Sequence, residues 1–103
     1  MINRIKNLFN KKKTDFTSLV RDGAVIIDVR STGEFNEGHI RGSRNIPLDS
    51  IQNRLGDIKK LQKPVITVCR SGVRSNMARS ILASGGVTVY NGGAWNQLEN
   101  RIK

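Results

Sequence analysis

The sequence has few residues that could bind a metal or form a disulfide. It contains one cysteine and one histidine in 103 residues. A single cysteine cannot form an internal disulfide, and one cysteine with one histidine supplies too few ligands for a structural zinc site. We therefore predict no metal and no cofactor, and a reducing cytoplasm is the simplest location.

Long apolar segments are also missing. No apolar run approaches the roughly 20 residues that a transmembrane helix needs. The basic start, MINRIKNLF, lacks the continuous apolar segment and the cleavage site of a secretory signal. The length predicts one domain with a modest core and no transmembrane segment.

Acidic residues are scarce: 8 stand against 18 basic ones, which gives a net charge of +10. Five of the basic residues fall within residues 1–13, which contain no acid. The rest of the chain is then only moderately basic, and it has few aromatic residues on which bases could stack. Nucleic acid is therefore not predicted as a partner. We divide the chain into a basic N-terminal tail, residues 1–13, and a domain, residues 14–103.

The tail has a short amphipathic pattern. Ile2, Ile5, Leu8 and Phe9 fall near helical spacing, with basic and amide residues between them. One interpretation is a helix that contacts an anionic membrane or a partner. The other is a solvated or docked terminus, which the shortness of the pattern favours.

Alternating strand and helix patterns predict an α/β fold with a central parallel sheet flanked by helices. The predicted strands cover residues 24–29, 45–47, 65–68 and 87–90. The predicted helices cover residues 50–61, capped by Asp49 or Ser50, then 75–84 and 94–102. In the second of these, Met77, Ala78, Ile81 and Leu82 have the spacing of a core-facing stripe. Gly92 and Gly93 are predicted to form a tight turn before the last helix.

The only cysteine lies in CRSGVRS, residues 69–75, directly after a predicted buried strand. Ligands of open α/β sheets bind beyond the carboxyl ends of the strands. Gly72 permits a positive φ, so that successive N–H groups can converge on an anion at the start of a helix. These amides, together with Arg70 and Arg74, should lower the pKa of the Cys69 thiol. We therefore predict a reactive cysteine, because a merely packed one would gain nothing from these neighbours.

Three ordered patterns resemble the rhodanese superfamily, in its single-domain form, over about residues 15–102. They are DVRSTGEFNEGHIRGSRNIP at residues 28–47, VITVCRSGVRS at 65–75 and YNGGAW at 90–95. Three patterns in the expected order are far more specific than one short motif. The resemblance implies a rhodanese-like three-layer fold.

The resemblance also implies a thiosulfate sulfurtransferase. Cys69 would attack the sulfane sulfur of thiosulfate or of a low-molecular-weight persulfide, and cyanide or a thiol would then accept that sulfur. The two arginines of the loop would meet an anionic donor. The active-site loop would consist of Arg70, Ser71, Gly72, Val73, Arg74 and Ser75.

The length of this loop favours sulfur over phosphate chemistry. Phosphatases and arsenate reductases that resemble rhodaneses have a C-x5-R loop, one residue longer. Here Arg74 follows Cys69 by five positions. The smaller loop suits a single sulfur atom better than a tetrahedral oxyanion, so we predict sulfur transfer.

Residues outside the loop are expected to support it. By resemblance, Asp28 and Arg30 would brace the active-site loop, with Arg30 able to pair with Glu34. His39 is the only histidine, and the family pattern gives it a structural role. Trp95 is predicted to be a packing residue beside the site.

Two classes of function remain open. The first is an enzyme that turns over free thiosulfate or a small persulfide. The second is a sulfur-carrier module that takes persulfide sulfur from a protein partner and delivers it elsewhere. Cys69 is compatible with both, whereas an interaction domain without chemistry would ordinarily lack it.

Overall fold

The computed structural model describes residues 13–103. Apart from Lys13, the predicted basic tail lies outside the described residues. Its amphipathic helix and the domain boundary at residue 13 therefore remain predictions.

Within residues 13–103 the chain forms four strands and five α-helices. The strands are β1 (Val25–Asp28), β2 (Arg44–Asn45), β3 (Val65–Cys69) and β4 (Val89–Ala94). The helices are α1 (Phe16–Arg21), α2 (Thr32–Glu37), α3 (Ile51–Lys60), α4 (Val73–Ser84) and α5 (Trp95–Ile102), with a 3-10 turn, Leu48–Ser50, before α3. None of these helices is long and apolar enough to cross a membrane.

The strands form one sheet in the order β2-β1-β3-β4, and every neighbouring pair is parallel. Side chains of successive strand residues point to opposite faces, so each strand contributes to two core layers. On one face, Ile27 and Val65 pack with residues of α3 and α4. On the other face, Ile26 and Ile66 pack with residues of α1 and α5. The predicted parallel α/β fold with flanking helices is confirmed.

The buried face of α4 differs from the prediction. Met77 is 53% exposed, whereas Ser75, Ala78 and Leu82 are buried. The helix begins at Val73, inside the predicted loop, and the spacing of residues 75, 78 and 82 puts these buried residues on one face of it. The prediction that Met77 lies in the core is therefore wrong.

The end of β4 also differs. Gly92 and Gly93 lie within the strand rather than in a turn: Thr67 pairs with Asn91, and Val68 pairs with Gly93. Gly92 is thus the extra residue of a β-bulge. A Cβ on Gly92 would lie 2.8 Å from Cγ2 of Ile66, so only glycine fits without displacement.

Helix ends account for the remaining differences. Two short helices, α1 and α2, were not predicted, although their caps are encoded locally. Asp15 accepts from the Ser18 N–H, and Ser31 with Glu34 forms a capping box. For α3, neither Asp49 nor Ser50 caps with its side chain, because the 3-10 turn leads the backbone directly into the helix. Ser50 thus occupies the N-cap position, as one of the two predictions had it, but without a capping hydrogen bond from its side chain.

Candidate active site

The cysteine loop connects β3 to α4. Cys69 is the last residue of β3, and α4 begins at Val73. Gly72, which precedes α4, has a φ of 100°, a left-handed conformation that favours glycine. Its backbone also comes close to β4, since a Cβ there would lie 3.4 Å from Cα of Gly93. The loop is therefore short and bent back toward its own sulfur.

The Sγ atom of Cys69 accepts hydrogen bonds from the backbone. The N–H of Gly72 lies 3.0 Å from Sγ, and the N–H of Ser75 lies 3.4 Å from it. The thiol donates in turn to Oγ of Ser75, also at 3.4 Å. Cys69 is fully buried. The arrangement places backbone donors at the N-terminal end of a helix around one sulfur atom.

Two opposing effects act on the pKa of Cys69. Burial raises it, because desolvation penalises the thiolate. Hydrogen bonds from Ser75 and from the backbone of Gly72 and Ser71 lower it, and the net result is a pKa below the ordinary value of a cysteine. The hydrogen bonds that surround the thiol therefore favour its ionised form.

Arg74 is bound to an acid rather than directed only at solvent. Its two terminal nitrogens donate to the Glu34 carboxylate at 2.7 and 3.0 Å. This hydrogen-bonded ion pair lowers the pKa of Glu34 to about 2 and raises the pKa of Arg74 above its ordinary value. By contrast, Arg70 is exposed and makes no ion pair among the described residues. The two loop arginines, for which the sequence predicts the same role, thus have different surroundings.

Asp28 and Arg30 form a buried ion pair at the end of β1. The Asp28 carboxylate accepts from Nη2 of Arg30 at 2.7 Å and from its Nε at 3.0 Å. Arg30 also donates to the main-chain oxygens of Gly38 and Glu34. The expected pairing of Arg30 with the Glu34 carboxylate is not observed, because Asp28 is the nearer acid and Arg74 holds that carboxylate.

Trp95 covers this ion pair. The guanidinium of Arg30 lies 4.7 Å from the centre of the Trp95 ring, which is the geometry of a cation–π contact. The ring also approaches Gly38 so closely that a Cβ there would lie 3.3 Å from it. Beside these residues is a cleft of about 600 Å³ that Glu34, Glu37 and Arg70 also line. Arg70 connects this cleft to the cysteine loop.

His39 lies at the end of α2 and is exposed. Its Nδ1 forms a hydrogen bond with the main-chain oxygen of Phe35 at 2.7 Å, and its ring stacks on the Phe35 ring. The structure shows no hydrogen bond between His39 and Cys69 in residues 13–103. Its contacts are those of a structural residue.

Asn91, on β4, is the site residue that the sequence did not reveal. It contacts both Gly72 and Ser75 of the cysteine loop. The available signal was its position in YNGG, a polar residue on a strand directly beside β3. Sequence patterns do not show the bulge at Gly92, after which the N–H of Gly93 donates to Oδ1 of Asn91.

The family model for the rhodanese-like domain matches residues 5–97. The chain belongs to the rhodanese-like domain family. The resemblance based on three sequence patterns is therefore confirmed.

Several curated proteins are similar to most of this chain. It is 42% identical over 82 residues to the uncharacterized protein YqhL of Bacillus subtilis, and the matched region covers 78% of this chain and 64% of that protein. It is 32% identical over 77 residues to the thiosulfate sulfurtransferase GlpE of Shewanella oneidensis, and the matched region covers 70% of this chain and 75% of that protein. The chain thus spans slightly less than two thirds of the Bacillus relative.

A solved rhodanese-like structure shows the same architecture. The E. coli structure described as a rhodanese with anions has a TM-score of 0.65 at 30% identity, and the matched region covers 72% of this chain and 89% of the E. coli chain. Family membership and these relatives support a role within the sulfurtransferase family.

Proposed function

We propose that the chain is a sulfurtransferase that carries sulfane sulfur as a persulfide on Cys69. The observation that carries this proposal is the pair of backbone N–H groups, from Gly72 and Ser75, that donate to Sγ. Such donors stabilise a thiolate before the reaction and an anionic sulfur after it. The thiosulfate sulfurtransferase GlpE of Shewanella oneidensis is a relative with this activity in its name.

The reaction has two steps. The Cys69 thiolate attacks the outer sulfur of thiosulfate, the S–S bond of the donor breaks, and sulfite leaves with the bonding electrons. The enzyme then holds a persulfide whose outer sulfur carries the negative charge. Cyanide or a thiolate attacks that outer sulfur and restores the Cys69 thiolate. Because sulfite leaves before the acceptor reacts with the covalent persulfide intermediate, we expect ping-pong kinetics.

Arg70 is the cation best placed to attract an anionic donor. It is exposed and lines the cleft of about 600 Å³ beside the loop. The guanidinium of Arg74 is engaged by Glu34, so its main role is to fix the loop against α2. Because Cys69 is fully buried, we propose that the loop must open beside Arg70 before the donor can reach Sγ.

The same geometry disfavours phosphate chemistry. Arg74 follows Cys69 by only five positions, and the amides of Gly72 and Ser75 already lie within 3.0 and 3.4 Å of Sγ. A tetrahedral oxyanion bound above Sγ would need these N–H groups for its oxygens. The loop instead directs them at sulfur, as the proposed persulfide chemistry requires.

Mass spectrometry after incubation with thiosulfate tests the covalent step. We expect a gain of one sulfur atom, about 32 Da, that cyanide removes and that Cys69→Ser abolishes. Cys69→Ser keeps a small side chain at this position, so circular dichroism should show an unchanged fold. No adduct with thiosulfate or with glutathione persulfide would overturn the proposal.

A second candidate function is a persulfide carrier for a protein partner. Val73 and Met77 are 66% and 53% exposed, and they are the only exposed large apolar side chains in residues 13–103. They lie one turn apart on α4, beside the cysteine loop, where a partner could dock. Turnover with free thiosulfate at a rate that Met77→Ser does not change favours the enzyme. Persulfide formation only from a protein donor, and its loss in Met77→Ser, favours the carrier.

The setting that we propose for either function is the cytoplasm, because a reducing environment keeps a single reactive thiol available.

A further inference from the structure

Asn91 makes three hydrogen bonds that connect β4 to the cysteine loop. Its Nδ2 donates to the main-chain oxygen of Gly72 at 3.2 Å. Its Oδ1 accepts from the N–H of Gly93 at 2.9 Å and from the hydroxyl of Ser75 at 2.6 Å. Ser75 is in turn the side chain that contacts Sγ of Cys69, at 3.4 Å. Asn91 is therefore connected to the reactive sulfur by two successive hydrogen bonds through Ser75.

The two backbone partners fix the orientation of the Asn91 amide. The N–H of Gly93 can only donate, and the carbonyl of Gly72 can only accept. A flipped amide would place N–H against N–H and oxygen against oxygen. Oδ1 therefore faces Ser75, and since Oδ1 cannot donate, the hydroxyl proton of Ser75 points to Asn91.

Two acceptors compete for this hydroxyl proton. While Cys69 is a thiol, its S–H donates to Oγ of Ser75, and Ser75 donates onward to Asn91. When the thiol loses its proton to solvent, Sγ can only accept, and an oxygen lone pair of Ser75 facing it would be repelled. The hydroxyl must then rotate and donate to Sγ, and Oδ1 of Asn91 keeps the N–H of Gly93 as its donor.

We propose that Asn91 is a positioning residue that holds the Ser75 hydroxyl proton while Cys69 is a thiol and releases it to Sγ when Cys69 ionises. The inference rests on the proposed function, because that reaction needs the thiolate. Asn91 has two opposite effects on ionisation. Through Ser75 it favours the thiol, and through its bond to the Gly72 carbonyl it holds the loop whose N–H stabilises the thiolate.

Charged and titratable groups from every neighbouring element also act on this site. They are Arg70 of the loop, Arg74 of α4, Glu34 of α2, and Asp28 and Arg30 at the end of β1; the side chain of Tyr90 packs on the opposite face of the sheet. Asn91 and Ser75 are themselves uncharged. Contributions from the charged groups are common to all variants that change only Ser75 and Asn91, so they cancel in a double-mutant cycle.

A double-mutant cycle on the pKa of Cys69 separates the two effects. The full-length wild type, Asn91→Ala, Ser75→Ala and the double variant are titrated by the ultraviolet absorbance of the thiolate. Because the chain has one cysteine, the signal belongs to Cys69 alone. In the Ser75→Ala background, Asn91→Ala removes the two bonds to the backbone, with the Gly72 carbonyl and the Gly93 N–H. With Ser75 present, it also removes the competing acceptor.

The expected result is a coupling of defined sign. Asn91→Ala changes the Cys69 pKa in each background, once with Ser75 present and once with Ser75→Ala. The change with Ser75 present should be the more negative of the two, by about 0.5–1. Equal changes in the two backgrounds would overturn the proposal. A more positive change with Ser75 present would overturn it too, since Asn91 would then direct the hydroxyl toward Sγ.

A second cycle covers the case in which the Asn91→Ala variants do not fold. Asn91→Asp keeps an acceptor for Ser75 and Gly93 and makes it a stronger one. Ser75→Ala should therefore raise the Cys69 pKa less in the Asn91→Asp background than in the wild type. An equal or larger rise would contradict the proposal. The titration uses no sulfur donor, so a failure of the proposed sulfur transfer would not affect its outcome.

Discussion

Glu34 performs two tasks with one carboxylate. Its Oε1 accepts from the backbone and hydroxyl of Ser31, which completes the capping box of α2, and it pairs with Arg74 of α4. The ion pair joins residues 40 positions apart in the sequence. It therefore fastens the cysteine loop to the segment after β1, and its strength depends on the charge of one side chain.

Glu34→Gln should remove this ion pair while keeping the capping box, because glutamine also serves at that position. The side chains of Arg74 and Glu34 are 36% and 32% exposed, so water screens the pair. We expect a loss of about 1 kcal/mol in the free energy of unfolding at neutral pH, measured by urea denaturation. Glu37→Gln, on the same helix, is the control, since Glu37 makes no ion pair in residues 13–103.

The cost of Glu34→Gln should depend on pH. The folded-state pKa of Glu34 lies at about 2, below its ordinary value of 4.5, so the unfolded chain takes up a proton first as the pH falls. The stabilisation is therefore fully present above about pH 4.5 and is lost as the pH falls through about 2. A difference between wild type and variant that stays constant over this window would contradict the assignment.

At the scale of elements, the bulge in β4 sets the position of the site. Asn91 lies beside Thr67 in the regular register, and the bulge after it shifts the pairing by one residue, so that Gly93 lies beside Val68 and Ala94 beside Cys69. The extra residue, Gly92, has no room for a side chain: a Cβ would lie 3.0 Å from the main-chain oxygen of Thr67. Packing, and not a left-handed φ, requires glycine here.

Gly92→Ala should consequently destabilise the fold by about 2 kcal/mol and lower the rate of persulfide formation, because β4 must move away from β3. Gly56→Ala is the matched control. Gly56 lies exposed in the middle of α3, with no atom within 4 Å of a built Cβ. There, alanine should stabilise by about 0.5–1 kcal/mol, since it restricts the unfolded chain. A Gly92→Ala variant as stable and as active as wild type would show that the bulge is not needed.

For the molecule as a whole, the sequence predicts the layers better than the details of the site. Buried strands such as β3 show as apolar runs, and the cysteine loop shows in its own residues. The contacts made by Arg74 and Asn91 could not be predicted, because each depends on elements far apart in the chain. The bulge at Gly92 was missed for a similar reason: glycine pairs ordinarily indicate turns, and only the packing of Ile66 shows why this pair lies in a strand.

The net charge of +10 is a property of the whole molecule that should act on its chemistry. A positive surface raises the local concentration of anions, and salt screens this effect over roughly 10 Å at 0.1 M. Arg70 is exposed beside the loop, so it should contribute more than distant cations. Iodoacetate, an anion, and neutral iodoacetamide both alkylate a cysteine, and Cys69 is the only one present.

We therefore expect the ratio of the iodoacetate rate to the iodoacetamide rate to fall by roughly threefold as salt rises from low to about 1 M. Each rate is divided by that of a free thiol under the same conditions, which removes the intrinsic reactivity of the reagents. Any opening of the loop that exposes Cys69 affects both reagents equally and cancels in the ratio.

Arg70→Gln should lower this ratio at low salt more than Arg79→Gln does. Arg79→Gln removes the same charge from the net total, but from a position further along the chain, in α4. Equal effects of the two variants would assign the attraction to the net charge alone, and a ratio independent of salt would rule out electrostatic attraction of the donor.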